Sequence, residues 1–170
     1  MTLNTDQLET VSKDKAEFDV RLEALMPSLL SYFIRRVTPR EDAADCLSET
    51  MIILWRRQSS VPRDSDGFRS WGFGIAKNVL ANQRRGQIRQ MRLGDRLRNE
   101  LAVDAPRAEE VSAEVEIALD ALKSTDRELV TLVAWDGLGV AEAGTVLGLR
   151  PAAARARYSR ARARLRAMLA

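Results

Sequence analysis

The chain of 170 residues carries a net charge of +3, one cysteine (Cys46) and no histidine. A single cysteine excludes an intramolecular disulfide, and one cysteine without histidine cannot supply the ligands of a Cys/His zinc site. The absence of histidine, the commonest general acid or base, also argues against catalysis. We therefore expect no metal, no cofactor and no enzymatic activity. No apolar run approaches the ~20 residues of a membrane helix, and the N-terminus does not resemble a secretory signal, so a cytoplasmic protein is predicted.

Apolar residues at spacings of three and four predict a first helix. They are Phe18, Leu22, Leu25, Leu29 and Phe33. Pro27 lies inside this pattern. Because proline removes a backbone hydrogen bond and clashes with the preceding turn, we expect it to kink the helix or to split it at Met26.

A second helix is predicted to start near Thr38, which can cap it. Pro39 suits the first helical position, and Glu41 completes a capping box. This helix is expected to run to about Arg57. Its apolar face is predicted to be Ala44, Leu47, Met51 and Leu54. The polar stretch that follows, residues 58–67, contains Pro62 and Gly67 and is predicted to be a loop.

A third helix is expected from about Asp66 or Phe68 to near Arg89, with Trp71, Ile75 and Val79 facing inward. It opens a basic segment, because residues 77–98 hold seven lysines and arginines against one acid. Residues 94–112 show little periodicity and carry Pro106 and the acids Asp104, Glu109 and Glu110, which predicts a linker.

A second helical unit follows the linker. Val115, Leu119 and Leu122 begin it, and a second capping box at residues 125–128 is expected to open a helix that ends at Asp136-Gly137. Strand-like alternation is absent from the sequence. The predicted fold class is therefore all-α, with two small helical domains joined by a flexible linker.

Residues 140–165 have the layout of a helix-turn-helix. A short helix over 140–147, a turn containing Gly148 and a long helix from Pro151 to about Met168 follow one another. Small residues at Ala143 and Gly144 allow the two helices to cross closely. The inward face of the last helix is predicted to be Ala154, Tyr158, Ala161 and Leu165.

Seven arginines and no acid lie between Arg150 and the C-terminus. Arg155, Ser159 and Arg162 share one face of the last helix, and arginine matches the acceptor pair of guanine in the major groove. DNA is the favoured partner. A solvated arginine-rich helix, or one that binds an acidic protein, is the alternative.

Two groups in the N-terminal half are weaker candidates for binding. Asp45, Ser48 and Glu49 are suited to docking a basic partner, although complementarity to the helix dipole explains acids there equally well. The stretch 68–85 mixes aromatic residues, asparagine and cations, as surfaces for single-stranded DNA do. Its aromatic residues are interpreted as core. The candidate contacts are Lys77, Asn78, Arg84 and Arg85.

These motifs resemble, in order, those of the extracytoplasmic-function (group IV) sigma factors of the sigma-70 family. Asp42-Ala43-Ala44-Asp45, with Glu49-Thr50 and Trp55-Arg56, resembles region 2.2. Phe68-Arg69-Ser70-Trp71, with Ile75 to Asn78 and Arg84-Arg85, resembles regions 2.3 and 2.4. Asp126 to Val130, Val146 to Leu149 and the arginines of the last helix resemble region 4. The resemblance covers roughly residues 15–168.

The resemblance implies a factor that binds core RNA polymerase and recognises the −10 and −35 promoter elements, with an anti-sigma factor as a further partner. It implies that Asp45, Ser48 and Glu49 face the polymerase clamp. It implies −10 contacts by Lys77, Asn78, Arg84 and Arg85, with residues 59–67 as the loop that selects a flipped base. It implies −35 contacts by Arg150, Arg155, Arg157, Ser159 and Arg160.

The domains are then expected at 14–95 (region 2) and 113–170 (region 4), after a tail of residues 1–13 and around an acidic linker at 96–112. Three positions depart from the family pattern: Ser48, where glutamine is usual, Met51, where an aromatic is usual, and Gly72, where a bulky residue is usual. The alternative function is an autonomous helix-turn-helix regulator, which leaves residues 68–85 without a role.

Overall fold

The computed structural model describes the backbone of residues 5–94 and 113–170, and the side chains of residues 13–89 and 113–170. Over these residues the chain forms seven α-helices and one 3-10 turn, and no strand. The helices are α1 (Thr5–Ile34), α2 (Asp42–Arg56), α3 (Ser65–Gly94), α4 (Ala113–Asp120), α5 (Ser124–Ala134), α6 (Val140–Val146) and α7 (Pro151–Leu169). The all-α prediction is confirmed. The predicted acidic linker, 96–112, lies outside the described residues.

Helix α1 forms the centre of the N-terminal unit. All five residues of its predicted apolar face, from Phe18 to Phe33, are buried. The predicted split at Met26 is wrong, because α1 continues through Pro27 as one helix. Leu25 and Leu29, one on either side of the proline, are held in the same core, and this packing keeps the helix together where a backbone hydrogen bond is missing.

Helix α3 crosses α1 very closely at Gly72. A Cβ atom at this position would lie 2.5 Å from Cδ2 of Leu25, so a larger residue fits only if the Leu25 side chain shifts. The predicted inward face of α3 is confirmed: Ile75 and Val79 are buried, and Trp71 is partly buried against the core.

Helix α2 turns a slightly different face inward from the one predicted. Its buried residues are Ala43, Cys46, Thr50 and Leu54, whereas Ala44 is exposed. The apolar pattern predicted the wrong face because it did not count Cys46 and Thr50, which are both buried in the core. The Thr50 hydroxyl donates to the Cys46 carbonyl oxygen (2.8 Å), which satisfies a polar group that would otherwise be costly to bury.

Both predicted capping boxes are wrong. The carbonyls of Pro39 and Arg40 accept from the amides of Asp42 and Ala43 (3.2 and 3.1 Å), so residues 39–41 form a turn ahead of α2. Helix α5 begins one residue earlier than expected, at Ser124, and no side chain caps it. Helix α3 begins at Ser65 and extends past Arg89 to Gly94, so the predicted loop is shorter and the helix is longer than expected.

The C-terminal unit contains the predicted helix-turn-helix. Helices α6 and α7 have almost the bounds expected from the sequence, and Gly148 between them has a φ of 69°, which glycine adopts without strain. Gly144 lies against Ala154, where an added Cβ would come within 2.6 Å of the alanine Cβ. The predicted close crossing is confirmed.

The two units pack against each other, chiefly through α3 and α6. One continuous cluster of buried apolar residues includes the core of the N-terminal unit together with Leu129, Leu132, Leu138 and Val146 of the C-terminal unit. A second, smaller cluster lies wholly within the C-terminal unit, around Leu119 and Ala161. The C-terminal unit thus has a core of its own and also shares the larger one.

The glycine at the helix crossing gives a stability test. Gly144→Ala should lower the free energy of unfolding by about 1–2 kcal/mol, because the rigid Ala154 side chain and its helix must move. Gly74→Ala is the matched control, since no atom lies within 4 Å of its added Cβ. It should stabilise α3 by about 0.5–1 kcal/mol. Thermal unfolding followed by circular dichroism measures both, and equal shifts would contradict the close crossing.

Candidate nucleic-acid interface

Helix α7 presents most of its arginines to solvent. Arg155, Ser159 and Arg160 are exposed on it, and Arg150 is exposed just before its first residue. The inward face is as predicted, with Ala154 and Ala161 buried. At ~1.5 Å per residue the helix is about 28 Å long, enough to cross a major groove.

Arg157 differs from the other arginines of α7. One of its guanidinium nitrogens donates to the Asp126 carboxylate on α5, at 2.9 Å, and the side chain is partly covered. The guanidinium is therefore held in a fixed position against the unit rather than extended into solvent. Of the five residues predicted for this surface, four are free on the outside of the helix-turn-helix and one is paired.

The basic residues of α3 divide in a similar way. Asn78, Arg84 and Arg85 are exposed, and Arg84 Nη2 reaches the Arg36 carbonyl oxygen at 3.4 Å. Lys77 is partly buried, and its ammonium donates to the carbonyl oxygen of Val146 at the end of α6 (3.4 Å). One of the four predicted −10 residues is thus engaged by the C-terminal unit.

The loop before α3 is held by a residue that the sequence pattern did not single out. Arg21 donates from one guanidinium nitrogen to the carbonyl oxygens of Pro62 (3.3 Å) and Asp64 (2.9 Å). The same guanidinium lies over the Phe68 ring, 4.2 Å from its centroid. The Gly67 amide donates to the Asp64 carboxylate at 2.6 Å. These contacts fix the backbone of the loop while Arg63 and Asp64 stay exposed.

Helix α2 shows an exposed stripe that is partly acidic and partly apolar. Asp45, Ser48 and Glu49 are exposed, as predicted for a docking surface. Ile52 and Trp55 continue the same stripe at helical spacing and are 51% and 49% exposed. Sequence reasoning assigned neither residue to a site, because an apolar residue on an amphipathic helix is normally interpreted as core.

An ion cluster joins the two units and was also missed. Asp136, between α5 and α6, has a fully buried side chain. Its carboxylate accepts from Arg35 through one oxygen and from Arg36 through the other, the latter at 2.7 Å. Residues a hundred positions apart give no local sequence signal of such a contact. We call Asp136, Arg35 and Arg36 the Asp136 cluster.

The cluster continues around Arg36. Its guanidinium donates to the Thr131 hydroxyl (3.2 Å), lies 3.4 Å from the Glu128 carboxylate and stacks over the Tyr32 ring at 4.0 Å. Burial, with a further contribution from Glu128, raises the pKa of Tyr32 above its usual value. The phenol is therefore neutral, and its hydroxyl has no hydrogen-bond partner among the described residues.

Other kinds of site find no support in the described part of the chain. Within it, no three histidine, cysteine, aspartate or glutamate side chains lie close enough to hold a metal ion. No helix among the described residues is both long and apolar enough to cross a membrane. Burial, followed by the acids of α2, raises the pKa of the Cys46 thiol.

Comparison with protein families matches both halves of the chain. The model for sigma-70 region 2 matches residues 22–90, and the model for sigma-70 region 4 matches residues 112–165. Together they cover more than half of the chain. An autonomous helix-turn-helix regulator is excluded by this result, because the chain carries sigma-70 region 2 as well as region 4.

Individual relatives agree with the family models. The RNA polymerase sigma factor NccH of Alcaligenes xylosoxydans xylosoxydans is 36% identical over 141 residues, which cover 77% of this chain and 75% of that protein. The ECF RNA polymerase sigma factor SigF of Caulobacter vibrioides is 32% identical over 157 residues, which cover 91% of this chain and 86% of that protein.

A solved structure has the same fold. The sigma factor RpoE of Bartonella quintana, in complex with the anti-sigma factor NepR, superposes with a TM-score of 0.64 at 25% identity, covering 90% of this chain and 96% of that one. The two exposed basic helices, the family models and the relatives all agree. The chain therefore belongs to the sigma-70 family, as an extracytoplasmic-function sigma factor that directs RNA polymerase to initiate transcription.

Proposed function

We propose that α7 reads the −35 element and α3 the −10 element of one promoter. The observation that carries this assignment is the exposure of two basic faces, one in each unit, that use different chemistry. Helix α7 offers arginines to duplex DNA, and α3 offers asparagine and cations to an opened strand. The units are taken as residues 14–95 and 113–170, with 96–112 as linker. Binding, without catalysis, is the whole of the proposed activity.

Within α7, we propose that exposed side chains near the N-terminal end contact bases and that the others contact phosphates. Arg150, Arg155 and Ser159 are exposed near the N-terminal end, which is the end that enters the groove in helix-turn-helix proteins. Arg157 and Arg160 are proposed to contact phosphates. Because Asp126 already positions Arg157, a phosphate could take over its guanidinium with little ordering of the side chain.

The assignment of Arg155 to base contacts is testable with two arginines of the same helix. Arg155→Ala should cost about 1–3 kcal/mol of binding energy at the preferred −35 sequence and should relax discrimination there. Arg166→Ala, a matched control near the end of α7, should weaken binding to all sequences alike. Affinities are measured with holoenzyme on matched and scrambled −35 sites, and equal losses on both sites for both variants would rule out base readout.

For the −10 element, we propose contacts by Lys77, Asn78, Arg84 and Arg85, with residues 59–67 as the loop that holds a flipped base. Three of the four side chains are exposed along one helix, at spacings that suit a strand running beside it. The clamping of the loop by Arg21 supports this role, since a pocket for a base needs a fixed backbone.

The exposed stripe of α2 is proposed as the surface for core polymerase. Asp45, Ser48 and Glu49 supply polar contacts, and Ile52 and Trp55 supply apolar area next to them. Charged rims around exposed apolar anchors are the usual anatomy of protein interfaces, where tryptophan is enriched among the residues that matter most.

Charge reversal on this stripe tests the polymerase assignment. Glu49→Lys should weaken binding to core polymerase at least about tenfold while leaving stability within ~0.5 kcal/mol, because the residue is exposed. Glu17→Lys on α1 is the matched control and should bind normally. Affinity measured by competition against another sigma factor decides, and normal binding by a folded Glu49→Lys protein removes the assignment.

The overall function is tested by transcription in vitro. The chain and core polymerase should initiate transcripts at a small set of sites in fragmented DNA of its own genome, because two weak DNA contacts on one polymerase combine into one selective event. Core polymerase alone is the control. A chain that binds polymerase but starts no specific transcript would contradict the proposal. We place this activity in the cytoplasm, where polymerase and DNA are found.

An anti-sigma factor is also proposed as a partner. The Bartonella quintana sigma factor, which has the same fold, is bound to one in its structure. The exposed apolar side chains of α2, which are free until polymerase covers them, are a surface for which such a protein could compete.

A further inference from the structure

The loop between α2 and α3 is fixed along its second half by contacts of its backbone. Val61 packs partly buried against the core of the N-terminal unit. The carbonyl oxygens of Pro62 and Asp64 both accept from one guanidinium nitrogen of Arg21, at 3.3 and 2.9 Å. The Asp64 carbonyl also accepts from the Phe68 amide (3.1 Å), which opens the hydrogen-bond ladder of α3. The loop is thus tied to α1 and to α3 at successive residues.

Arg21 is itself held in place by an aromatic cluster. Its guanidinium lies over the ring of Phe68, 4.2 Å from the centroid, where the attraction between a cation and a ring face favours one orientation. Phe68 is buried and meets Phe18 edge to face, with ring centroids 6.2 Å apart, and Trp71 at 6.0 Å. The support of Arg21 therefore belongs to the core, and Arg21 connects the loop to that core.

The first turn of α3 closes the loop from the other side. The Gly67 amide donates to the Asp64 carboxylate at 2.6 Å. A Cβ atom added at Gly67 would lie 2.7 Å from a carboxylate oxygen of Asp64 and 2.9 Å from Cβ of Pro62, so this backbone approaches the loop as closely as only glycine allows. The backbone of residues 62–64 is held between Arg21 and this turn.

Polar side chains stand exposed on this fixed backbone. Those of the loop are Ser59, Ser60, Arg63 and Asp64. Hydroxyl, guanidinium and carboxylate groups supply the donors and acceptors that read the pairing edge of an unpaired base. Groups that can turn adjust to any base, whereas fixed groups leave a wrong base with unpaired polar atoms. Selectivity at such a loop therefore depends on whatever fixes its backbone.

We propose that Arg21 is a positioning residue for base selection at the −10 element. It acts through the carbonyls of Pro62 and Asp64 and holds the loop in the geometry that favours one base at a single position. Without this contact, each bound base has to order the loop itself, and bases that fit well or badly differ less in affinity. The inference rests on the proposed role of residues 59–67 as the loop that holds a flipped base.

The test measures base preference at each promoter position with the full chain assembled on core polymerase. One promoter found in the transcription assay is varied to all four bases at every −10 and −35 position, one position at a time. Sequencing of templates and transcripts gives the ratio between the best and the worst base at each position. Arg21→Met keeps an apolar side chain against Phe68 but cannot bind the two carbonyls. Lys15→Met, which removes an exposed cation from the same helix, is the matched control.

Arg21→Met should lower the ratio at one −10 position at least about fivefold, because a good set of base contacts discriminates by roughly tenfold or more. The ratios at the other −10 positions and throughout the −35 element should stay as in the wild type. Lys15→Met should match the wild type everywhere. A merely structural role lowers the yield for all bases alike and leaves every ratio unchanged.

Gly67→Ala approaches the loop from the side of α3. The added methyl group has to displace Asp64 or Pro62, so it should lower the ratio at the same −10 position as Arg21→Met does. Gly74→Ala is its matched control, since no atom lies within 4 Å of the Cβ added there. It should leave every ratio unchanged.

Two results overturn the proposal. One is a folded Arg21→Met protein that keeps the wild-type ratio at every −10 position. The other is a ratio that falls equally at all positions, those of the −35 element included. If Arg21→Met fails to fold, Arg21→Gln decides by the same criteria. A wild-type chain without any single-base preference in the −10 element overturns the proposed loop function as well, whereas a preference that survives in the Arg21 variants overturns only the role of Arg21.

Discussion

The two halves of this sigma factor meet around one buried carboxylate. Asp136 lies at the turn where α5 gives way to α6, and both of its oxygens are taken by arginines that follow α1. Around it, Leu132, Leu138 and Val146 join the core of the other unit. Apolar area supplies most of the attraction, while the charges fix the register in which α6 meets α3.

The surfaces for the proposed partners are arranged around this joint. The stripe of α2 and the arginines of α7 face solvent, whereas the basic face of α3 is partly covered. The surfaces proposed for polymerase and duplex DNA are therefore accessible in this structure, while part of the proposed −10 surface is covered.

Local patterns in the sequence predicted the parts of the fold that local physics decides. The face of α1, the crossing at Gly144 and the bounds of α6 and α7 follow from periodicity, small residues and turn glycines. Polar residues at helix starts were misleading, because turns and tertiary packing, rather than side-chain caps, set where α2 and α5 begin. The exposure of Ile52 and Trp55 could not be predicted from local patterns, because apolar residues on a helix are normally interpreted as core. The Asp136 cluster could not be predicted either, because it joins residues a hundred positions apart.

The order of helices along the chain has a consequence for synthesis. Helix α3 leaves the ribosome before the α6 that covers it, and 69 residues separate Lys77 from Val146. At about 5–20 residues per second, the face of α3 that carries Arg69 and Lys77 stays uncovered for roughly 3–14 s in every newly made molecule. During that interval the N-terminal unit must hold its fold with its own contacts, and its aromatic and basic residues are open to any nearby polyanion. Nascent chains are thus the population in which misdirected binding to nucleic acid would begin.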